Sequence, residues 1–155
     1  MLSTSCDQIP EHPSDENLVL GFRVTDADVQ VKVPVCPGEE LDRVEVWDPG
    51  SETREEKLLW WGEGPTGEAA ANGLIKLWSP TGYRKAATSD KPAEVPSPVD
   101  VSVTYAHQED SVGDLVDFEE AAKDPSAEDR YWTIQGKTMT AREIDEQLSC
   151  ATKSG

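Results

Sequence analysis

Apolar and polar side chains alternate at Leu18, Leu20, Phe22 and Val24, and again at Val29, Val31, Val33 and Val35, with Arg23, Gln30 and Lys32 on the opposite face. A period of two carried by β-branched residues marks a strand that is buried on one side only. Asp26-Ala27-Asp28 joins the pair as a tight hairpin. Pro34 cannot donate to a ladder, which puts the end of the second strand at a sheet edge or bulge. Further strands are predicted over 43–47, 57–61, 74–78, 83–86 and 99–106, divided by turn signals at Asp48-Pro49-Gly50, Asn72-Gly73 and Ser79-Pro80-Thr81-Gly82. The proline-rich stretch 88–98 reads as a crossing between sheets.

The last third changes character. Residues 114–122 read as a strand running into a helical turn, 131–134 as a last short strand, and Gly136-Lys137 as a turn. Thr140-Ala141-Arg142-Glu143 is a capping box, with Met139 and Ile144 at the staple positions on either side of it. A helix over 141–149 is therefore expected to dock through Ile144 and Leu148. Together these elements predict a mainly β fold, an immunoglobulin-like β-sandwich of about seven strands with a short capped C-terminal helix; a small β-barrel is the alternative. Residues 1–17 lack periodicity and read as a flexible leader, 18–150 as a single β-rich domain, and 151–155 as a disordered tail.

Charge sharpens this outline. The chain of 155 residues carries 31 acidic against 14 basic side chains, a formal net charge of −17. Such a surface repels phosphate backbones, so nucleic acid is not an expected partner; a basic protein is, and the free chain is expected to be monomeric. No apolar run approaches the roughly 18 residues of a membrane span, and the N-terminus has no signal-like hydrophobic stretch. Leu2-Ser3-Thr4-Ser5-Cys6 is similar to the end of a bacterial lipoprotein signal, which makes Cys6 a lipidation candidate.

Cys36 follows a strong strand and Cys150 follows the capped helix, so a disulfide between these two element ends is expected, leaving Cys6 over. That pairing implies an oxidising, extracytoplasmic compartment. The alternative is a cytoplasmic protein with three reduced thiols.

Candidate chemistry is sparse. Gly62-Glu63-Gly64-Pro65-Thr66-Gly67 matches G-x-G-x-x-G, but only 68–71 separates it from Asn72-Gly73, so no phosphate-binding helix fits and a mobile glycine-rich loop is expected. His12 and His107 lack visible catalytic partners, and no zinc spacing occurs. Asp26 with Asp28 is explained by turn chemistry rather than calcium. No catalytic residue, metal or cofactor is therefore assigned.

Two features point to recognition instead. Trp60 and Trp61 are adjacent in a strand and must face opposite ways, so one of them is covered by a loop or exposed; Trp47 and Trp78 share this ambiguity. Between Glu109 and Asp129 stand nine acidic residues and one basic residue, Lys123. The expected partner-binding set is Glu109, Asp110, Asp114, Asp117, Glu119 and Glu120 with Trp61 and Trp78.

The hairpin ending Val35-Cys36-Pro37-Gly38, the Leu58-Leu59-Trp60-Trp61 strand, Tyr131-Trp132-Thr133 and the stretch from Thr140 to Cys150 together resemble small uncharacterised secreted or lipoprotein-like proteins of actinomycete bacteria, across residues 18–150. The resemblance implies an extracytoplasmic home and carries no activity. The leading expectation is a non-enzymatic protein-binding module, of immunity or inhibitor type, that meets a basic partner through an acidic face. A cell-envelope sandwich binding glycan through exposed tryptophans is the second reading, and an enzyme of unknown class the third.

Overall fold

Alternating valines bury one row of side chains per strand, and two such surfaces close on each other in the computed structural model, which describes residues 18–25, 28–88, 91–107, 111–123, 129–148 and 150. Cys6, Asp26, Glu109, Asp110, the leader and the tail lie outside the described residues. The elements in chain order are β1 (Gly21–Val24), β2 (Val29–Lys32), β3 (Leu41–Asp48), β4 (Lys57–Pro65), α1 (Glu68–Ala71), β5 (Leu74–Leu77), β6 (Tyr83–Ala86), β7 (Val99–Tyr105), β8 (Ser111–Val116), α2 (Phe118–Lys123), β9 (Arg130–Trp132), β10 (Thr138–Thr140) and α3 (Ala141–Asp145).

The strands form two five-stranded antiparallel sheets, ordered β10-β9-β1-β2-β5 and β6-β4-β3-β7-β8. Phe22, Val31, Ile75 and Leu77 of the first sheet meet Val44, Val46, Trp60, Val101 and Val103 of the second in one buried cluster. This is a mainly β sandwich and not a closed barrel. Ten strands are present among the described residues, against about seven expected from the sequence.

Several expectations are corrected. The stretch 88–98 does not join the two sheets, because β6 and β7, which flank it, belong to the same one. β2 is not an edge strand: it pairs with both β1 and β5 and ends at Lys32, before Pro34. The glycine-rich stretch is not a loop, since β4 runs on to Pro65. Gly62 is required there because a Cβ would stand 2.8 Å from the Tyr83 ring and 3.0 Å from that of Trp60. A single helical turn, α1, follows it.

Helix α3 begins as expected, with Thr140 Oγ1 accepting from the Glu143 N–H and Glu143 Oε1 accepting from the Thr140 N–H. It is shorter than 141–149. Ile144 is fully buried and stands where a side chain at Gly21 would otherwise lie, so α3 covers part of the first sheet's outer face. That cover explains Lys32, which the alternation puts on the wet side of β2 but which is 1% exposed. Its Nζ donates to Val33 O, Asn72 O and Asp145 Oδ1, the last at 2.6 Å. Burial lowers the Lys32 pKa, with the Asp145 hydrogen bond and charge opposing the shift. The Cys36–Cys150 disulfide, with Cα atoms 5.5 Å apart, fastens the chain beyond α3 to the segment that follows β2.

Candidate functional site

Period-two geometry sends Val44 and Val46 into the core and Arg43, Glu45 and Trp47 to the outer face of the second sheet. The register with β4, β7 and β8 continues this face as three rows. Leu58, Trp47, Asp100 and Leu115 lie opposite one another in the first; Trp61, Glu45, Ser102 and Gly113 in the second; Lys85, Glu63, Arg43, Thr104 and Ser111 in the third. A register shift between Val46 and Trp47 leaves Leu59 as an extra residue of β4, packed against the core, and so brings Leu58 opposite Trp47. Bulges of this kind re-aim side chains and recur beside functional surfaces.

One half of the face is a closed network. Arg43 Nε donates to Glu45 Oε2 at 2.6 Å, Arg43 Nη1 donates to Glu63 Oε2 at 2.7 Å, and the guanidinium carbon lies 4.8 Å from the Trp61 ring centroid. Trp47 Nε1 donates to Glu45 Oε1 at 2.7 Å. Burial disfavours the Glu45 carboxylate, yet the bonds from Trp47 and Arg43 and the guanidinium charge outweigh it and hold the pKa below the ordinary value. The other half holds Asp100, whose side chain has no hydrogen-bonding or ion-pairing partner among the described residues. Its pKa is raised by burial and by the nearby carboxylates of Glu56 and Glu45.

The acidic set expected from the sequence is dispersed. Asp114 belongs with Val112 and Val116 on the inner face of β8, is 7% exposed, and accepts the Leu20 N–H at Oδ2. It is therefore removed from any docking surface. Asp117 caps α2, its Oδ1 accepting from the Glu119 and Glu120 N–H groups. Asp117 and Glu119 border an open cleft with Glu94 and with Asp48, whose carboxylate is paired to Arg54. The Arg54 and Gly50 hydrogen bonds keep the Asp48 pKa low. Glu120 is exposed on α2, within ion-pair reach of Lys123.

The tryptophans divide clearly. Trp60 is buried, with Trp78 at 6.3 Å and Tyr83 at 5.5 Å between ring centroids. The Nε1 atoms of Trp60 and Trp78 are both buried without a hydrogen-bond partner among the described residues, and Trp78, half-buried, packs against the core side. Trp61 and Trp47 remain half-exposed on the outer face. Arg43, Glu45, Glu63 and Asp100 share this outer face and are not among the partner-binding residues expected from the sequence. The alternation of Arg43, Glu45 and Trp47 with valines is the signal that gathers three side chains of the face, while Glu63 and Asp100 join it only through pairing register.

Among the described residues no group of three or more His, Cys, Asp or Glu side chains is arranged to hold a metal, and no helix is long and apolar enough to cross a membrane. No family model matches the chain, and neither a curated protein nor a solved structure shows significant similarity to it.

Proposed function

We propose that this chain is a non-enzymatic binding module that docks a basic protein on the outer face of its second sheet, as an immunity or inhibitor protein does. The observation that carries this reading is the three-row face itself, in which Trp47, Trp61 and the exposed Leu115 stand among Glu45, Glu63 and Asp100. Aromatic side chains give large contact area at low entropic cost, and acidic neighbours select and steer a cationic partner. The net charge of −17 adds long-range attraction that salt weakens. The Trp61 ring already carries the Arg43 guanidinium, which leaves less aromatic surface for sugar stacking, so a protein partner is favoured over glycan. We place the protein outside the cytoplasm, a reading supported by the Cys36–Cys150 disulfide.

The test is capture from an extract of the source organism on immobilised protein, with wild type beside a Glu45→Gln/Trp61→Ala variant. A cationic protein held by wild type at low salt, released by added salt and not held by the variant is the expected result. Equal retention by the variant, or no captured species at low salt, overturns the reading.

A further inference from the structure

Two aromatic–carboxylate arrangements stand side by side on the outer face, and among the described residues only one contains its cation. Around Trp61 the set is complete: Arg43 lies against the ring and joins Glu45 to Glu63. In the adjoining row Trp47 stands directly opposite Asp100, with Leu58 and Leu115 at the two ends. The hydrogen bond from Trp47 Nε1 to Glu45 fixes one edge of that ring. Here the carboxylate has no ion-pair partner among the described residues. Arg43 is committed to Glu45 and Glu63, and Arg54 to Asp48. Lys57 stands opposite Asp48, where its charge helps keep that carboxylate ionised. The charges that act on Asp100 are those of Glu56 and Glu45, and Asp100 in turn acts on Asp114 across the sheet.

We propose that this row is the seat for an arginine side chain of the docked partner, held between the Trp47 ring and the Asp100 carboxylate with its methylene stem against Leu115. The inference rests on the partner-binding reading above. Arginine fits better than lysine because its planar guanidinium stacks on an indole while donating two parallel hydrogen bonds to a carboxylate. One row away, Arg43 shows a related arrangement from within the chain, lying over the Trp61 ring while giving one hydrogen bond each to Glu45 and Glu63. Leu115, 55% exposed on an edge strand, provides an apolar wall that a stem of three methylenes can cover.

The probe is the tripeptide Gly-Arg-Gly, capped at both ends, titrated into isotope-labelled protein and followed by the Trp47 indole N–H and the Leu115 methyl signals. Gly-Lys-Gly is the comparison. The expected result is a saturable shift of both signals, several-fold tighter for arginine than for lysine and lost in Asp100→Asn, a variant that removes no bond from the fold. No shift at Trp47 and Leu115, or a response unchanged in Asp100→Asn, overturns the seat, and equal affinity for lysine overturns its guanidinium preference. If capture depends on Trp61 and Glu45 while the arginine response is absent, the face stands and the seat falls. If the arginine response is present while capture is indifferent to the face, the docking reading falls and the cation seat stands.

Discussion

Asp114 Oδ2 accepts the backbone N–H of Leu20 at 2.8 Å, so a carboxylate on the inner face of edge strand β8 holds the chain where it enters β1 in the opposite sheet. Burial raises the Asp114 pKa from 3.8 to about 6; the Leu20 hydrogen bond opposes that shift and the Asp100 charge adds to it. The folded state therefore binds a proton more readily than the unfolded state, and stability falls as pH rises through the window between these two values. From the size of the shift, the contribution lost is about 2–3 kcal/mol. Asp114→Asn removes this titration. Chemical denaturation across the window is expected to show the variant gaining on wild type by that amount as pH rises, and a constant difference would contradict the assignment.

The disulfide closes a long loop, with 114 positions separating Cys36 from Cys150. In the chain-entropy account such a cross-link removes about 4–5 kcal/mol of freedom from the unfolded chain. Cys36→Ser with Cys150→Ser is expected to lose most of this in a urea melt, with the sandwich retained at low denaturant. Intact mass before and after reduction gives an independent reading, an increase of two hydrogens per bridge.

Gly62 tests the change from loop to strand. An added methyl must displace the Tyr83 and Trp60 rings, which pack edge-on at 5.5 Å between centroids. Overpacking of this kind costs about 1–3 kcal/mol. Gly62→Ala is therefore expected to lower stability and to alter the near-ultraviolet dichroism of the aromatic cluster. Gly38→Ala is a control for left-handed backbone strain, because its φ is 82° and no atom lies within 4 Å of the added carbon.

The strands that carry the core were legible because valine alternation is a local signal: Val29 and Val31, Val44 and Val46, and Val99, Val101 and Val103 all face inward as their period demands. The same rule reveals Asp114, which falls in phase with Val112 and Val116, but its acidic neighbours in sequence suggested a surface run. Short β10 has no such period and exists through pairing with β9. Lys32 shows the limit from the other side. Alternation gives its face of the strand, whereas the cover over that face comes from α3, 113 positions away, and no periodicity encodes a docking partner at that distance. The outer-face site has the same character, since Trp47, Asp100 and Leu115 become neighbours only through register across three strands.

Asp145 serves two partners with a single oxygen, accepting from Lys32 Nζ at 2.6 Å and from the Val35 N–H at 2.9 Å. Asp145→Ala would leave an ammonium that is 1% exposed with two backbone carbonyls and no countercharge. Breaking a buried pair from one side costs about 3–5 kcal/mol; the partial exposure of Asp145 places this case at the lower end of that range. Lys32 already titrates below its ordinary value of 10.5 because burial disfavours the charge, so its folded state gives up a proton before its unfolded state does. Stability tied to this group therefore rises with pH up to that ordinary value, and removing the countercharge widens the window downward. The expected outcome is a penalty for Asp145→Ala that is largest near neutrality and shrinks as pH is raised into the alkaline range. Asp145→Asn, whose amide oxygen still accepts both hydrogen bonds, should recover part of the loss at every pH. Urea melts of the three proteins across the alkaline range decide the matter: a penalty independent of pH would mean that the lost Val35 hydrogen bond, and not the stranded ammonium, carries the cost.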